Sequence, residues 1–316
     1  MPTYAIGLPT PFRGLTERQG MVWRGPAGWA EWSPFLDYRG AELVPWLRAA
    51  DEAAERGWPA PVRTDIEVNC TIPAVGPELA FARVRAAGCR TAKVKVAVPG
   101  GSLADDLTRV EAVRDALGPD GRIRVDANGG WSPDQAESAI RQLGRFDLEY
   151  VEQPCRTVEE LAGLRRRLAR AGLRVLIAAD ESIRRAEDPL RVARLGAADV
   201  AVLKVQPLGG VRASLEIAER IGLPVVVSSA LETSIGLRAG LALAAALPEL
   251  PYACGLNTTG LLAGDLATQA LAAVDGVIRL REVEVDPGEL ERHRADPEVE
   301  EFWQARLVRT RELAGG

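Results

Sequence analysis

The chain contains only three lysines, Lys93, Lys95 and Lys204, although lysine and arginine together number 39. A guanidinium stays protonated in proteins, whereas burial or neighbouring charge can lower the pKa of an ammonium enough for it to lose a proton. All three lysines lie in strand-like apolar runs, TAKVKV and DVAVLKV, and not on amphipathic helices. We therefore predict that they lie where a proton is transferred; biased codon usage is the alternative explanation.

Acidic residues end three successive strand-like runs. Asp126 ends RIRVD, Glu152 ends LEYVE and Asp180 ends LIAAD. Three carboxylates meeting at one point would repel one another strongly in a medium of low dielectric constant. Mg²⁺, with Mn²⁺ as an acceptable substitute, takes such oxygen ligands and relieves the repulsion. The pattern predicts a metal site; the alternative is that each acid pairs with an arginine or caps the next helix.

The segments that carry these residues predict an α/β fold. From about residue 64 onward, short apolar runs rich in β-branched residues alternate with amphipathic helical patterns, and their polar ends recur at intervals of 24 to 28 residues. This alternation predicts parallel strands with crossover helices, and it fits a TIM-like (β/α)7β barrel over residues 63–283. A doubly wound open sheet is the alternative, but its first strand is normally followed by a Gly-rich turn. The segment IPAVGPEL lacks such a turn.

Both ends of the chain differ from the barrel segment. Residues 1–62 are rich in proline, glycine and tryptophan and hold one helical stretch, while residues 284–316 hold a charged helix. We predict that the two ends form one small α+β cap domain over the mouth of the barrel.

Active sites of such barrels lie at the carboxyl ends of the strands, because the loops that follow the strands meet there. Lys93 and Lys95 are two residues apart and share a strand face. The same argument predicts further polar or permissive residues that contact the substrate or support the ligands: Asn128, Glu181, Ser228, Ser229, Gly209 and Asn257.

Composition excludes several classes of protein. A net charge of −5 argues against a general nucleic-acid binder. No apolar run reaches membrane-spanning length, and the N-terminus lacks a signal-peptide pattern, so we expect a cytoplasmic protein without a membrane partner. The four cysteines are scattered, which is typical of free thiols in a reducing compartment. The single histidine, His293, lies in a charged stretch, so acid–base chemistry is expected without histidine. The sequence favours no particular oligomeric state.

The strand-end residues also form an ordered set of motifs. They are Lys-x-Lys (93–95), Asp-x-Asn-x-x-Trp (126–131), Val-Glu-Gln-Pro (151–154), Ala-Asp-Glu-Ser (179–182) and Leu-Lys (203–204). In this order they resemble the enolase superfamily and, within it, the muconate-lactonizing-enzyme subgroup. The resemblance covers the whole barrel, and the segment GWAEWSP is similar to the cap-domain hairpin of the superfamily. The barrel lacks a histidine, unlike the mandelate-racemase subgroup, whose base is a His–Asp pair. The resemblance also implies a substrate-specificity loop, which we place near Arg13 to Arg24.

The resemblance implies roles for the lysines. Lys95 would remove a proton from the carbon next to a carboxylate, with Lys93 lowering its pKa. Lys204, on the other face, would stabilise the resulting enediolate. The acids of the three strand ends would hold Mg²⁺, and the partner would be a small-molecule carboxylate.

Two further segments, SSALETSIG and GLNTTGLLAGDL, narrow the resemblance. They are most similar to subgroup members that dehydrate a hydroxycyclohexadiene carboxylate bearing a succinyl chain. The main alternative is an N-acylamino-acid racemase or another epimerase that uses Lys95 and Lys204 as two bases. A Schiff-base aldolase, which needs no metal, and a non-catalytic binding barrel are the remaining alternatives.

Overall fold

A computed structural model describes residues 1–315. Its strands are β1 (Thr3–Phe12), β2 (Leu15–Gly25), β3 (Gly28–Trp32), β4 (Asp65–Ile72), β5 (Thr91–Lys95), β6 (Arg122–Asp126), β7 (Leu148–Glu152), β8 (Ile177–Ala179), β9 (Val200–Leu203), β10 (Val225–Val227), β11 (Cys254–Asn257) and β12 (Val277–Arg279). Its helices are α1 (Leu43–Glu55), α2 (Pro77–Ala87), α3 (Leu103–Leu117), α4 (Pro133–Leu143), α5 (Val158–Arg170), α6 (Glu181–Arg184), α7 (Arg191–Arg194), α8 (Val211–Ile221), α9 (Ser234–Ala246), α10 (Pro287–Arg292) and α11 (Pro297–Gly315).

Strands β4 to β11 form a parallel barrel. They pair in the order β10-β9-β8-β7-β6-β5-β4-β11. A parallel bridge between Ser228 and Gly255 joins β10 to β11 and closes the ring. At least one helix lies in each of the seven connections between consecutive barrel strands. The predicted (β/α)7β barrel is therefore confirmed; β12 adds an antiparallel neighbour to β4.

Alternation along the strands separates the two faces of the barrel wall. In β6, Ile123 and Val125 belong to the hydrophobic core shared with the helices, whereas Arg124 and Asp126 make polar contacts inside the ring. Successive side chains of a strand point to opposite faces, so one short run builds both layers. The polar residues that interrupt these apolar runs are the ones that line the interior.

Helix starts follow the capping signals in the sequence. Ser102, Ser132 and Thr157 each accept a hydrogen bond from the backbone N–H three residues on, and each helix completes a capping box. Such caps satisfy N–H groups that have no partner inside the helix. They fix where α3, α4 and α5 begin, and hence the length of the strand-to-helix loops above the barrel.

The two ends of the chain pack together. Strands β1, β2 and β3 form an antiparallel sheet, and the ring of Trp32 packs edge-on against Trp303 of α11, with centroids 5.5 Å apart. Arg306, also in α11, donates to the backbone carbonyls of Pro34, Phe35 and Tyr38. A cap of this composition agrees with the sequence prediction, while the domain limits at residues 62 and 284 remain predictions.

Within residues 1–315, no helix combines the length and the apolar character that crossing a membrane requires. The four cysteines are free and buried.

Candidate active site

A narrow cavity of about 30 Å³ lies at the carboxyl ends of the barrel strands, beneath the cap. All three lysines line it, and Phe12 and Phe35 of the cap side cover it. Lys95 and Phe12 also line a larger cavity of about 1210 Å³ beside the first. The reactive groups are thus enclosed, and the larger cavity reaches one of them from the side.

Strand register brings the three acids to one level of the barrel. Lys95 is the register partner of Asp126, and Asp126 is the partner of Glu152. Glu152 pairs with Ala178, two residues before Asp180. Each acid is at most 1% exposed. Three buried carboxylates thus end adjacent strands, while their predicted role as metal ligands stays a prediction.

Lys93 and Lys95 contact the first two of these acids. Lys93 Nζ lies 3.0 and 3.2 Å from the two carboxylate oxygens of Glu152 and 3.4 Å from Asp126 Oδ2. Lys95 Nζ lies 2.5 Å from the same Asp126 oxygen and 2.7 Å from Asn128 Oδ1. The Lys-x-Lys pair therefore points into the barrel, as its spacing predicts, and both ammonium groups share one carboxylate.

Lys204 contacts the third acid. Its Nζ lies 2.6 Å from Asp180 Oδ2, while Arg184 donates to Asp180 Oδ1 at 2.9 Å. Arg184 also contacts Glu181 and the hydroxyl of Tyr38. Asp180 is thus held between two cations, and Tyr38 links this cluster to the cap.

Burial and charge shift the ionisation of these groups in different directions. Burial, followed by the nearby Asp126, raises the pKa of Glu152 to about 7. Burial alone would lower the pKa of Lys93, but Glu152 and Asp126 outweigh it and hold that pKa well above its usual range. Lys93 therefore remains charged and does not serve as a base.

The pKa of Lys204 moves the other way. Burial lowers it, and the neighbouring Arg184 guanidinium lowers it further, against the opposing effect of Asp180. Lys204 therefore holds its proton less tightly than a lysine in water does.

Four of the six additional residues predicted from the sequence lie at the cluster. Asn128 accepts from Lys95 and donates its amide to Glu181 Oε1 at 3.2 Å. Ser228 and Ser229 line the narrow cavity, and the Ser229 hydroxyl lies 2.8 Å from that of Thr258.

Gly209 and Asn257 line neither of these cavities, so a role for them at the site stays a prediction. Gly209 has a φ of 93° and faces Pro45 of α1, so it serves the packing of the cap on the barrel. Asn257 turns its amide away from the barrel axis to the thiol of Cys89. A strand-end position places the backbone at the mouth but does not decide where the side chain points.

Sequence reasoning missed Arg184 and Gln153. Arg184 was overlooked because arginine is abundant, yet its position four residues after Asp180 on a short helix was a usable signal. The Gln153 side-chain oxygen accepts from the backbone N–H groups of Asp180 and Ser182 at 3.0 and 3.1 Å. It fixes the turn that presents Asp180.

The cap contributes the turn between β1 and β2. Arg13 at its tip has a positive φ of 55°, and its guanidinium lies 4.5 Å from the centroid of the Phe35 ring. Arg18 of β2 lies 4.6 Å from the same centroid and donates to the Leu231 carbonyl at 3.0 Å. The segment predicted to hold the specificity loop therefore supplies part of the cavity wall.

The three acids supply the kind of ligand that a hard divalent cation prefers. Asp126, Glu152 and Asp180 offer only carboxylate oxygens, and these come from three adjacent strands. As placed, no three acidic, cysteine or histidine side chains in residues 1–315 are arranged to hold a metal. The physical reason is that a lysine lies against each carboxylate. Long, flexible lysine side chains can turn toward a substrate anion and free these oxygens.

Comparison with known proteins gives the same family for both parts of the chain. The description "Enolase C-terminal domain-like" matches residues 78–288, and "Enolase N-terminal domain-like" matches residues 3–54. The chain also shares its fold with the muconate lactonizing enzyme from Pseudomonas fluorescens complexed with muconolactone (TM-score 0.78, 22% identity, 93% of this chain and 98% of that chain). The N-succinyl Arg/Lys racemase from Bacillus cereus is similar in fold as well (TM-score 0.79, 20% identity, 93% and 96%).

Closer relatives share much more of the sequence. An o-succinylbenzoate synthase from Thermobifida fusca is 61% identical over 308 residues, which are 98% of this chain and 95% of the relative. An o-succinylbenzoate synthase from Mycobacterium ulcerans is 51% identical over 306 residues, or 96% and 90% of the two chains. The chain therefore belongs to the enolase superfamily and, within it, to the o-succinylbenzoate synthase family.

Proposed function

We propose that this chain catalyses the o-succinylbenzoate synthase reaction of menaquinone biosynthesis, the syn elimination of water from a succinyl-hydroxycyclohexadiene carboxylate to give 2-succinylbenzoate. The observation that supports it most is the placement of Lys95 and Lys204 on either side of three buried carboxylates. Relatives of this name at 50–61% identity carry the assignment of the substrate.

Lys95 is the proposed base. Its amine lines both the narrow cavity and the larger one, so a substrate carbon held in the narrow cavity is within its reach. Lys93, held and kept charged by Glu152, places a fixed positive charge beside this amine. Asn128 holds the Lys95 amine in position.

Lys204 is the proposed electrostatic stabiliser. When Lys95 removes the α-proton, negative charge spreads onto the substrate carboxylate, and the Lys204 ammonium faces that charge from the opposite wall. Its amine contacts Asp180, to which Arg184 also donates. A cation in a closed cavity stabilises the developing charge more than water does.

Asp126, Glu152 and Asp180 are the proposed ligands of Mg²⁺, with Mn²⁺ as a substitute. The bound cation would supply positive charge for the substrate carboxylate and make the adjacent carbon more acidic. Because the three carboxylates are buried, water does not compete with them for the cation.

Protonated Lys95 then completes the elimination. The electron pair left on the α-carbon forms the new double bond as the β-carbon–oxygen bond breaks, and the Lys95 proton leaves with the hydroxyl as water. Since removal and delivery of the proton use one face, the elimination is syn. The product ring is aromatic, so the site needs only to stabilise charge on the way.

The test is an ultraviolet assay of the cyclohexadiene carboxylate with Mg²⁺, and again after chelation with EDTA. We expect conversion that is lost in EDTA and restored by added Mg²⁺ or Mn²⁺. Full activity in EDTA together with borohydride trapping of a substrate adduct would instead indicate a Schiff-base enzyme.

A racemase is the second candidate, because Lys95 and Lys204 face one another as two bases on opposite sides of one carbon would. Incubation of an N-succinylamino acid in D₂O separates the two functions. Rapid exchange of its α-proton without dehydration of the cyclohexadiene would favour racemisation. A cytoplasmic location and the absence of nucleic-acid partners remain predictions.

A further inference from the structure

Two of the four cysteines lie together on the outer side of the barrel wall, away from the active site. Cys70 is in β4, and Cys89 is in the turn between α2 and β5. The Cys70 thiol lies 3.6 Å from the carbonyl oxygen of Thr91, two residues after Cys89. The pairing of β4 with β5 thus brings together two thiols that are well separated in sequence.

Asn257 connects the two cysteines from a third strand. It is the register partner of Cys70 in the pairing of β11 with β4, and its side-chain amide donates to the Cys89 sulfur at 3.7 Å. A hydrogen bond to sulfur favours the thiolate over the thiol. The neighbouring Cys70 is the main cause that lowers the pKa of Cys89; burial opposes this lowering, and the Asn257 hydrogen bond adds to it.

A small cavity reaches Cys89, whose side chain is buried and 6% exposed. Its volume is about 270 Å³, and Cys89 lines it together with Arg85, Arg90 and Asp120. None of these residues lines the active-site cavities. The volume of this cavity is large enough to admit a small polar oxidant.

Cys155 and Cys254 provide the contrast within the same chain. Both side chains are completely buried, and burial raises their pKa values to about 12 and about 11. Neither lines one of the three cavities described above. Buried thiols of this kind are unreactive, because the thiolate is the nucleophile.

We propose that Cys89 is a peroxide-reactive thiol and that Cys70 is its resolving partner. The Cys89 thiolate attacks one oxygen of a hydroperoxide; the O–O bond breaks, and a hydroxide or alkoxide leaves, which gives a sulfenic acid. The Cys70 sulfur then attacks the Cys89 sulfur, the S–O bond breaks, and the Cys70 proton leaves with the oxygen as water. The peroxide is reduced by two electrons, and two thiols become one disulfide around α2.

Hydrogen peroxide is the probe. The folded, full-length protein is treated, quenched and digested without reductant, and its peptides are mapped by mass spectrometry. We expect a peptide joined through Cys70 and Cys89 and lighter by two hydrogens, reversed by dithiothreitol. The Cys70→Ser variant should instead accumulate a dimedone-trapped sulfenic acid on Cys89. Cys254→Ser, the matched control, should form the same disulfide as the wild type.

The wild-type map alone can overturn the proposal, whether or not the variants fold. Absence of the Cys70–Cys89 peptide from peroxide-treated protein that retains its native circular dichroism would do so. Labelling of Cys155 or Cys254 as fast as Cys89 would do so too. Both results would mean that the cavity and the hydrogen bonds do not activate this thiol.

Discussion

Lys95 and Lys204 face one another across the barrel. Lys95 ends β5 and lies 2.5 Å from Asp126, whereas Lys204 follows β9 and lies 2.6 Å from Asp180. The strands β5 and β9 are four positions apart in a ring of eight, which puts the two amines on opposite walls. In the proposed reaction, a flat substrate between them would have one lysine on each face.

Replacing Lys95 by arginine tests its role as base. The guanidinium keeps the positive charge beside Asp126 but cannot give up its proton at neutral pH. We expect kcat to fall by about 10²- to 10⁴-fold, measured as the rate of ultraviolet absorbance change, with an unchanged circular dichroism spectrum. Turnover close to that of the wild type would exclude Lys95 as the base.

Two replacements of Lys204 distinguish its role as a fixed positive charge from a role in proton transfer. If this lysine acts as a fixed charge, Lys204→Arg retains more dehydration activity than Lys204→Met, which we expect to lose roughly 10²-fold or more in kcat. A base would tolerate neither change. Equal losses in the two variants, with both folded, would assign proton transfer to Lys204 and favour the racemase alternative.

Replacing Glu152 by glutamine tests the metal site without an assay of turnover. The amide keeps the shape of the side chain and an oxygen for Lys93 but removes one negative charge. We expect Mn²⁺ affinity, measured by titration calorimetry, to fall by about tenfold or more, or roughly 1.4 kcal/mol. Glu219→Gln, a change at an exposed position of α8, is the control; a loss of affinity there as well would show that the change is not specific to the site.

Arg18 is expected to position the wall of the cavity. It is 2% exposed and donates to the backbone carbonyls of Leu231 and Ala230, both of which line the cavity. Arg18→Met leaves these carbonyls without that donor, so we expect KM to rise and unfolding free energy to fall by about 2 kcal/mol. Arg24→Met, on the same strand but exposed and paired only at the surface, should cost less than about 1 kcal/mol. Identical behaviour of both variants would contradict the positioning role.

Glu232 gives stability a dependence on pH. It is buried, and burial followed by the charge of Glu31 raises its pKa to about 7, against 4.5 in the unfolded chain. Between these pH values the folded protein holds a proton that the unfolded chain has released, so stability falls as pH rises through the window, by about 3 kcal/mol.

The Glu232→Gln variant should lack this loss. Urea unfolding at pH 5 and pH 8 measures it: relative to the wild type, the variant should gain about 3 kcal/mol between the two pH values. Glu219→Gln should follow the wild type. A constant difference between wild type and Glu232→Gln at both pH values would show that Glu232 is ionised throughout.

The sequence predicts most of the barrel, the cap and the reactive cluster, because polar residues at strand ends and helix-capping residues are local signals. Helix α2 was not identified from the sequence, since only Ala80 and Val84 of its residues are buried and its apolar periodicity is weak. Arg184 and Arg18 were missed because their partners, such as Tyr38 and Leu231, lie far away in the chain. Gly209 and Asn257 show the limit of strand-end reasoning, because side-chain direction depends on tertiary packing.

Arg306 donates hydrogen bonds to the carbonyls of Pro34, Phe35 and Tyr38, and it lies 271 residues after Phe35 in the chain. The active site therefore depends on the C-terminal helix α11. A nascent chain in which only the barrel has emerged from the ribosome would contain all three lysines. It would lack helix α11, which holds the cap segment over the active site. Proteolytic cleavage before Arg306 would likewise abolish activity, because it removes these contacts with the cap while the barrel stays intact.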